Sequence, residues 1–332
     1  MSMGNLYVPP FEITNKILKL VSEISVLMAR GEFFGLLNKH PRLRRNNRIR
    51  SVHSSLAIEA NSLSVDEVRD VLDNRLVMGP QQEIQEAKNA FAAYDLLPHL
   101  SPWKVKDLLR AHRVMTDLLV RESGKYRHGG EGVFDKDKCI FMAPPAERVP
   151  FLVQDLLDWV RREGKNVHPL IMSCVVHYEL VFIHPFSDGN GRMARLWQTL
   201  ILSRWQEMFA YLPVESQIEK FQSAYYKTID KCNRNGNSSL FIEFMLERIK
   251  SVLEEVLQLG EKDEFDNVAV QKLLSVMDNH KNYSALELME LLKIQTRVTL
   301  QKTYLKPAIE IGVVEMTMPD KPTSKNQKYR KI

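Results

Sequence analysis

The sequence predicts a mainly α-helical protein: a bundle of helices interrupted by one short β hairpin and followed by a small unit of helices and strands. Three observations predict it. Apolar residues recur at three- and four-residue steps through most of the chain, the spacing that gathers side chains on one face of a helix. Only 14 glycines and 15 prolines punctuate 332 residues, which leaves long stretches free for helix. In two places, around Asp135 and near the C-terminal end, the pattern shortens to strand length beside turn residues.

Taken in order, Thr14 caps a first helix whose stripe is Ile17, Leu20, Val21, Ile24, Leu27 and Met28, stopped near Gly31. A basic run, Arg42, Arg44, Arg45, Arg48 and Arg50, follows as a solvated face or ion-pair set and leads into a helix with Ile49, Val52 and Leu56 on its apolar side. Ser55 and Glu59, four residues apart, share a face of that helix. Ser64 with Glu67 makes a capping box, and Ser101-Pro102 opens another helix. Residues 133–142 read as a hairpin with Asp135 to Lys138 at its tip. Leu170, Ile171, Cys174, Val175, Tyr178 and Phe182 then form a helix stripe, and Met193, Leu196, Trp197, Leu200 and Ile201 form the next.

Between those two helices stands the most informative string in the chain, His184-Pro-Phe-Ser-Asp-Gly-Asn-Gly-Arg-Met-Ala-Arg195. Gly189 and Gly191 let the backbone approach a ligand, and a helix starting there presents N–H groups and the positive end of its dipole to an anion. Arg192 and Arg195 add guanidinium forks that match phosphate oxygens. Asp188 offers a hard oxygen ligand for Mg2+, and Asn190 an amide donor. His184, with an ordinary pKa near ~6.5, suits proton uptake at neutral pH. The combination is equipment for handling a phosphate.

The string resembles the signature of the Fic family: His, any residue, Phe, any residue, Asp or Glu, Gly-Asn-Gly-Arg, two residues, Arg. Every specified position is filled. The resemblance implies an all-helical bundle that moves AMP from ATP onto a Ser, Thr or Tyr hydroxyl of a target protein, with release of pyrophosphate. It makes His184 the general base, Phe186 the loop's packing anchor and Asp188 the Mg2+ ligand. Asn190, Gly191 and Arg192 would then cradle the α- and β-phosphates, and Arg195 would reach the γ-phosphate.

Ser54 to Asn61 resembles the inhibitory motif of the family, Ser or Thr, three residues, Glu, then Gly or Asn. Ser55 and Glu59 fill the first two positions, whereas Ala60 stands where Gly or Asn is usual. The implied role is a carboxylate delivered to Arg195 in the space of the γ-phosphate, from a helix preceding the catalytic core. Gly124-Lys-Tyr-Arg127 and the hairpin of Val133, Cys139, Ile140, Phe141 and Met142 are similar to the family's target-docking flap, whose edge pairs with an extended target segment. Tyr225, Tyr226 and Asn233 to Asn237 sit where the family lines its adenine pocket. Family members often pair through their catalytic domains, so a homodimer is a further expected partner.

The boundaries expected are an N-terminal helical region, 1–102, a core, 103–259, and a C-terminal unit, 260–332, beginning with a charged linker at Gly260–Asp266. In that last unit Val268, Leu273, Leu274 and Met277 form one helix. Ser284 caps a second over Leu286 to Leu292, Thr296 opens a third, and strands are expected at Val313–Thr317 and in the segment ending at Tyr329. The order looks like a winged helix, a module many Fic proteins carry there. As a DNA reader it would use Arg297, Thr299, Gln301 and Lys302, with Lys321, Lys325, Lys328 and Arg330 near phosphates.

Composition narrows the class less sharply. A net charge of +5 spread over the chain does not single out nucleic acid. Three cysteines, odd in number and widely spaced, match no disulfide framework or metal spacing and predict a reducing cytoplasm. The first ten residues lack a secretion pattern, and no run approaches the ~18 apolar residues of a spanning helix, so no membrane role is expected. Other readings are a DNA-binding or adaptor protein whose loop senses a nucleotide without turnover, an enzyme transferring another nucleotide such as UMP, or one removing AMP with Glu59 positioning water. His184 favours an enzyme, because a sensor needs the arginines but no base.

Overall fold

The computed structural model describes residues 6–29, 41–130, 132–135, 138–265, 268–279, 281–310, 313–319, 324 and 326–331. They form two compact units, one of Met1–Leu27 with Asn47–Leu253, the other of Met28–Asn46 with Glu254–Ile332. Helices dominate both, as the sequence predicts.

In the first unit Thr14 caps α1 (Asn15–Ala29), its hydroxyl accepting from Ile17 N–H at 3.1 Å. The expected stop at Gly31 lies outside the described residues. Then come α2 (Pro41–Ala57), α3 (Val65–Leu72), opened by the complete Ser64/Glu67 capping box, and α4 (Gln81–Asp95). The next helix, α5 (Val105–Met115), begins later than Ser101-Pro102 suggested. The backbone first makes a turn, Lys104 N–H to Ser101 O at 3.2 Å, and Asp107 accepts from Ser101 N–H at 2.9 Å. The flap is an antiparallel ladder of β1 (Gly132–Asp135) and β2 (Lys138–Met142), with Val133 opposite Phe141 and Phe134 opposite Cys139. Ile140 lies in the same ladder, and the tip residues Lys136 and Asp137 lie outside the described residues.

Helices α6 (Val149–Glu163), α7 (Pro169–Ile183) and α8 (Asn190–Trp205) make the centre of this unit. The stripe expected on α7 understates its position, since every residue from Leu170 to Leu180 is buried, as in a helix enclosed on all sides. Helices α9 (Val214–Lys220), α10 (Gln222–Asn235) and α11 (Ser239–Phe265) complete the chain's central part. Trp159, Trp197, Phe186, Phe209 and Phe241 are fully buried among them. The segment before α1 is extended: Tyr7 Oη donates to Glu179 Oε2 at 2.8 Å, and Ser238 N–H donates to Pro10 O at 3.0 Å.

The linker expected at Gly260–Asp266 is helical to Phe265, because α11 continues through it. Its Glu and Lys residues are good helix formers and one glycine is a tolerable cost of about 1 kcal/mol. Beyond it stand α12 (Val268–Ser275), β3 (Asn282–Ser284), α13 (Ala285–Leu292) under a Ser284/Glu287 capping box, and α14 over residues 297–310, opened by Thr296. The middle of α14, Leu300–Leu305, has π-helical spacing. Strands β4 (Val314–Met316) and β5 (Lys328–Lys331) close the unit, in the sheet order β3-β5-β4. Leu273, Tyr283, Leu288, Leu300, Leu305 and Tyr329 form its own core. Strand β3 was not anticipated, because three residues are too few to show a period of two.

Candidate active site

The signature string forms the turn between α7 and α8. His184 closes α7 in the left-handed region, φ 51°, with its N–H on Leu180 O at 3.1 Å. Gly189, φ 80°, precedes the first residue of α8. A Cβ there would press on the Thr116 methyl at 3.1 Å, so both backbone angle and space call for glycine.

Asn190 fastens this turn. Its Oδ1 accepts from Phe186 N–H at 2.9 Å and its Nδ2 donates to Phe186 O at 2.7 Å. One Nδ2 hydrogen of the amide expected to face phosphates is therefore used on Phe186 O, and its second hydrogen and the main-chain N–H at the start of α8 are what a ligand could meet. Phe186 in turn stacks on His112, ring centroids 3.7 Å apart and nearly parallel. His112 Nδ1 accepts from Gly124 N–H at 3.0 Å, which puts its proton on Nε2, facing Asp188 O at 3.0 Å. Burial, with Arg192 adding to it, pushes the His112 pKa down to about 4, so the ring is neutral. The sequence reading missed His112, whose partners are 12 and 76 residues away.

Both arginines of the string are buried. Arg192 Nη2 donates to Asp188 Oδ2 at 2.8 Å, and Nη1 lies 3.9 Å from Glu86 Oε1. Its Nε and Nη1 nonetheless have no hydrogen-bond partner among the described residues. Arg195 is held by α2: Nε donates to Ser55 Oγ at 3.0 Å, and Nη2 to Ser55 O at 2.9 Å and Glu59 Oε1 at 2.7 Å. Burial works against the Arg195 charge, and the Glu59 carboxylate more than offsets it, holding the guanidinium above its ordinary pKa. A Cβ on Gly191 would collide with Glu59 Oε1, so this carboxylate lies against the first turn of α8.

The end of α2 is shaped to deliver Glu59. Asn61 N–H reaches back to Leu56 O at 3.2 Å and Ala60 N–H to Ala57 O at 3.0 Å, the two bonds of a Schellman close. Ala60 takes the left-handed conformation, φ 66°, that Gly or Asn adopts more readily. Two side chains of α10 then grip the turn, Gln222 Nε2 to Ile58 O at 2.8 Å and Tyr226 Oη to the same oxygen at 3.3 Å. Asn61 Nδ2 donates to Glu86 Oε2 at 2.9 Å. Tyr225 is buried, its Oη 2.9 Å from His177 Nε2, while Tyr178 Oη donates to Asn233 Oδ1 at 2.8 Å.

Of the flap residues only Met142 has a described side chain, and it is exposed. In the C-terminal unit Arg297, Thr299 and Lys302 are exposed on α14. Gln301 is exposed too, but its amide donates to Tyr329 Oη at 2.9 Å, and Arg330 pairs with Glu315. Two of the expected DNA contacts are therefore engaged internally. Lys321 and Lys325 lie outside the described residues. No helix among the described residues is long and apolar enough to cross a membrane.

The Fic/DOC family pattern matches residues 102–202, and that of the Filamentation induced by cAMP protein Fic-like C-terminal domain matches residues 268–331. A crystal structure of a Fic family protein from Desulfovibrio desulfuricans G20 is 43% identical, covers 98% of both chains and superposes with a TM-score of 0.73. Protein adenylyltransferase fic-1 of Caenorhabditis briggsae is 29% identical over 74% of this chain and 48% of its own length. Protein adenylyltransferase Fic of Nematostella vectensis is 29% identical over 58% of this chain and 45% of its own. The chain thus spans about half the length of these curated relatives. With the signature turn intact between two buried helices, and a likeness to the Desulfovibrio protein that runs end to end, the chain belongs to the Fic family.

Proposed function

We propose that this protein is an adenylyltransferase that moves AMP from ATP to a Ser, Thr or Tyr hydroxyl of a protein target and is held off by its own Glu59. The observation that carries the reading is the turn itself: a His, a carboxylate and two buried arginines at the start of one helix. Relatives named protein adenylyltransferases support it. The β1-β2 flap is the docking edge for an extended target segment. His184 takes the hydroxyl proton, the target oxygen bonds to the α-phosphorus, and the bond to the β-phosphate bridging oxygen breaks to release pyrophosphate. A placed base contributes about 10²–10⁴ in rate.

Among the described residues no cluster of three or more His, Cys, Asp or Glu forms a metal cage. Asp188, paired on one oxygen with Arg192 and half exposed, is instead a single-carboxylate site. That fits Mg2+, which keeps waters and shares phosphate oxygens with one or two carboxylates; bound there it would neutralise charge on the leaving pyrophosphate. Arg192, with two buried N–H groups unpartnered, donates to the same phosphates. Arg195 would serve the γ-phosphate once Glu59 leaves it.

The test is incubation with labelled ATP and Mg2+, with UTP and GTP offered in parallel and products identified by mass spectrometry. Weak AMP labelling in the parent, stronger labelling in Glu59→Gly and none in Glu59→Gly/His184→Ala is the expected pattern. Equal labelling with and without His184 removes its role as base, and UMP or GMP products in place of AMP remove the adenylyl reading.

A further inference from the structure

Arg127 stands outside the phosphate-binding turn, yet it is buried and hydrogen-bonds to main-chain oxygens of that turn, of the end of α7 and of the chain on both sides of the flap. Its Nε donates to His184 O at 2.6 Å and its Nη2 to Ile183 O at 3.4 Å. The same guanidinium donates through Nη1 to Gly129 O at 2.6 Å and through Nη2 to Pro144 O at 2.5 Å. The main-chain N–H of Arg127 donates to Pro185 O at 3.0 Å. One planar group therefore binds the last carbonyls of α7 and both strands of chain that enter and leave the β1-β2 flap, since Gly129 and Pro144 lie just outside the ladder.

The placement has a physical logic. Helix α7 ends with carbonyls lacking intrahelical partners and with the negative end of its dipole, both of which a guanidinium satisfies. His184 is not glycine yet sits at φ 51°, a conformation that costs about 1 kcal/mol and persists only where surroundings impose it. Hydrogen bonds to its carbonyl oxygen are such an imposition. A fork of fixed geometry, unlike a lysine ammonium, also fixes the distance between the groups it bridges.

We propose that Arg127 is a positioning residue that sets the register between the flap and His184, so that a target hydroxyl docked on one arrives at the imidazole of the other. The proposal rests on the adenylyltransferase reading for its kinetic consequence, and on the hydrogen bonds alone for its structural one. The guanidinium of Arg127 is directed at main-chain oxygens of the turn and of the flap's two ends. Loss of the guanidinium therefore misplaces base and target relative to each other and leaves nucleotide binding intact.

The experiment uses the full chain in the Glu59→Gly background, with Arg127→Ala and Arg127→Lys. Labelling at saturating ATP is expected to fall on the order of 10²-fold in Arg127→Ala, the effect of a displacement near 1 Å, with ATP affinity by calorimetry unchanged. Amide hydrogen exchange is expected to quicken together in the flap, 129–144, and in the turn, 183–189, and to stay unchanged in the rest of α8. Arg127 also lines a cavity of about 540 Å³ with Leu109, Tyr126, Glu147 and Pro150, so added methylguanidinium should reach the gap and restore labelling to Arg127→Ala. Should the alanine variant not fold, Arg127→Lys keeps the charge without the fork and is expected to show the same paired exchange in weaker form. Faster exchange in only one of the two segments, or ATP affinity falling in step with labelling, overturns the proposal. Absence of labelling in the Glu59→Gly parent sinks the adenylyltransferase reading instead, and the exchange arm still decides the role of Arg127.

Discussion

The Glu59 carboxylate lies so close to Gly191 that a single methyl group on that glycine would overlap Oε1. An internal carboxylate thus lies directly against the backbone of the first turn of α8. Removing that carboxylate and crowding it out should have opposite consequences. Glu59→Gly is expected to raise AMP labelling about 10- to 100-fold, the equivalent of one charge-assisted hydrogen bond of ~1.5–3 kcal/mol released from Arg195. Gly191→Ala is expected to break the same pair without activating, because under the proposed function its Cβ would stand in the path of a phosphate. A labelling assay on the two variants separates these outcomes, and activation by Gly191→Ala would mean that the phosphates do not pass over this residue.

Ala60 offers a second handle on the same turn. At φ 66° it pays the steric cost of a left-handed L-residue, about 1–2 kcal/mol, which glycine avoids at the expense of a more flexible unfolded chain. Ala60→Gly is therefore expected to stabilise the protein by up to about 1 kcal/mol, a rise of about 2–4 °C in Tm for a unit of this size. Because it steadies the turn that carries Glu59, it should also lower basal labelling. A fall in Tm would show that the Schellman close does not hold in solution.

What could be read from the sequence and what could not divide along one physical line. The turn from His184 to Arg195, the Ser64 capping box and the Ser284 cap are all local, made by residues a few positions apart, and they form where their spacing predicts; Ser55 and Glu59 both meet Arg195, though Glu59 does so from the turn just past the end of α2 at Ala57 rather than from a helix face. His112, Tyr226 and Gln222 reach the same turn or the end of α2 from remote parts of the chain, and no periodicity reports such a meeting. Asn190 shows what residue type leaves unsaid: its amide suits a phosphate, yet it also ties the Phe186 backbone on both sides. The helical continuation of α11 through a charged stretch shows composition misread as a break.

Two buried groups give stability opposite slopes with pH. His112 has its pKa lowered from 6.5 to about 4 by burial, so its contribution is complete above pH 6.5 and is lost as pH falls from there towards 4. Glu179 has its pKa raised from 4.5 to about 7, again chiefly by burial, so its contribution is complete below pH 4.5 and is lost as pH rises through 7. Each slope approaches about 1.4 kcal/mol per pH unit inside its window. In urea unfolding from pH 4.5 to 8, His112→Gln is expected to remove the acid-side loss in part, since His177, lowered to about 3, keeps its own share. Glu179→Gln, which can still accept from Tyr7 Oη, is expected to be more stable than the parent at pH 8 and no more stable at pH 4.5. Parallel pH profiles for variant and parent would show that these side chains are solvated.

Arg192 allows binding to be told apart from stability. Its Nε and Nη1 are buried without hydrogen-bond partners among the described residues, an arrangement that costs on the order of 1–3 kcal/mol per group in the free protein until an acceptor arrives. Arg192→Lys keeps a cation to face Asp188 but removes the planar fork. In the Glu59→Gly chain it is expected to weaken ATP binding by at least about tenfold, the low end of the ~1.5–3 kcal/mol of one charge-assisted hydrogen bond. Urea unfolding of the free protein should move little, or towards greater stability. Calorimetry with ATP, and with pyrophosphate as the smaller probe, reads the first quantity. An affinity unchanged for both, with stability reduced, would make Arg192 a structural cation serving Asp188 and Glu86 and would leave the phosphates to Arg195 and the α8 backbone.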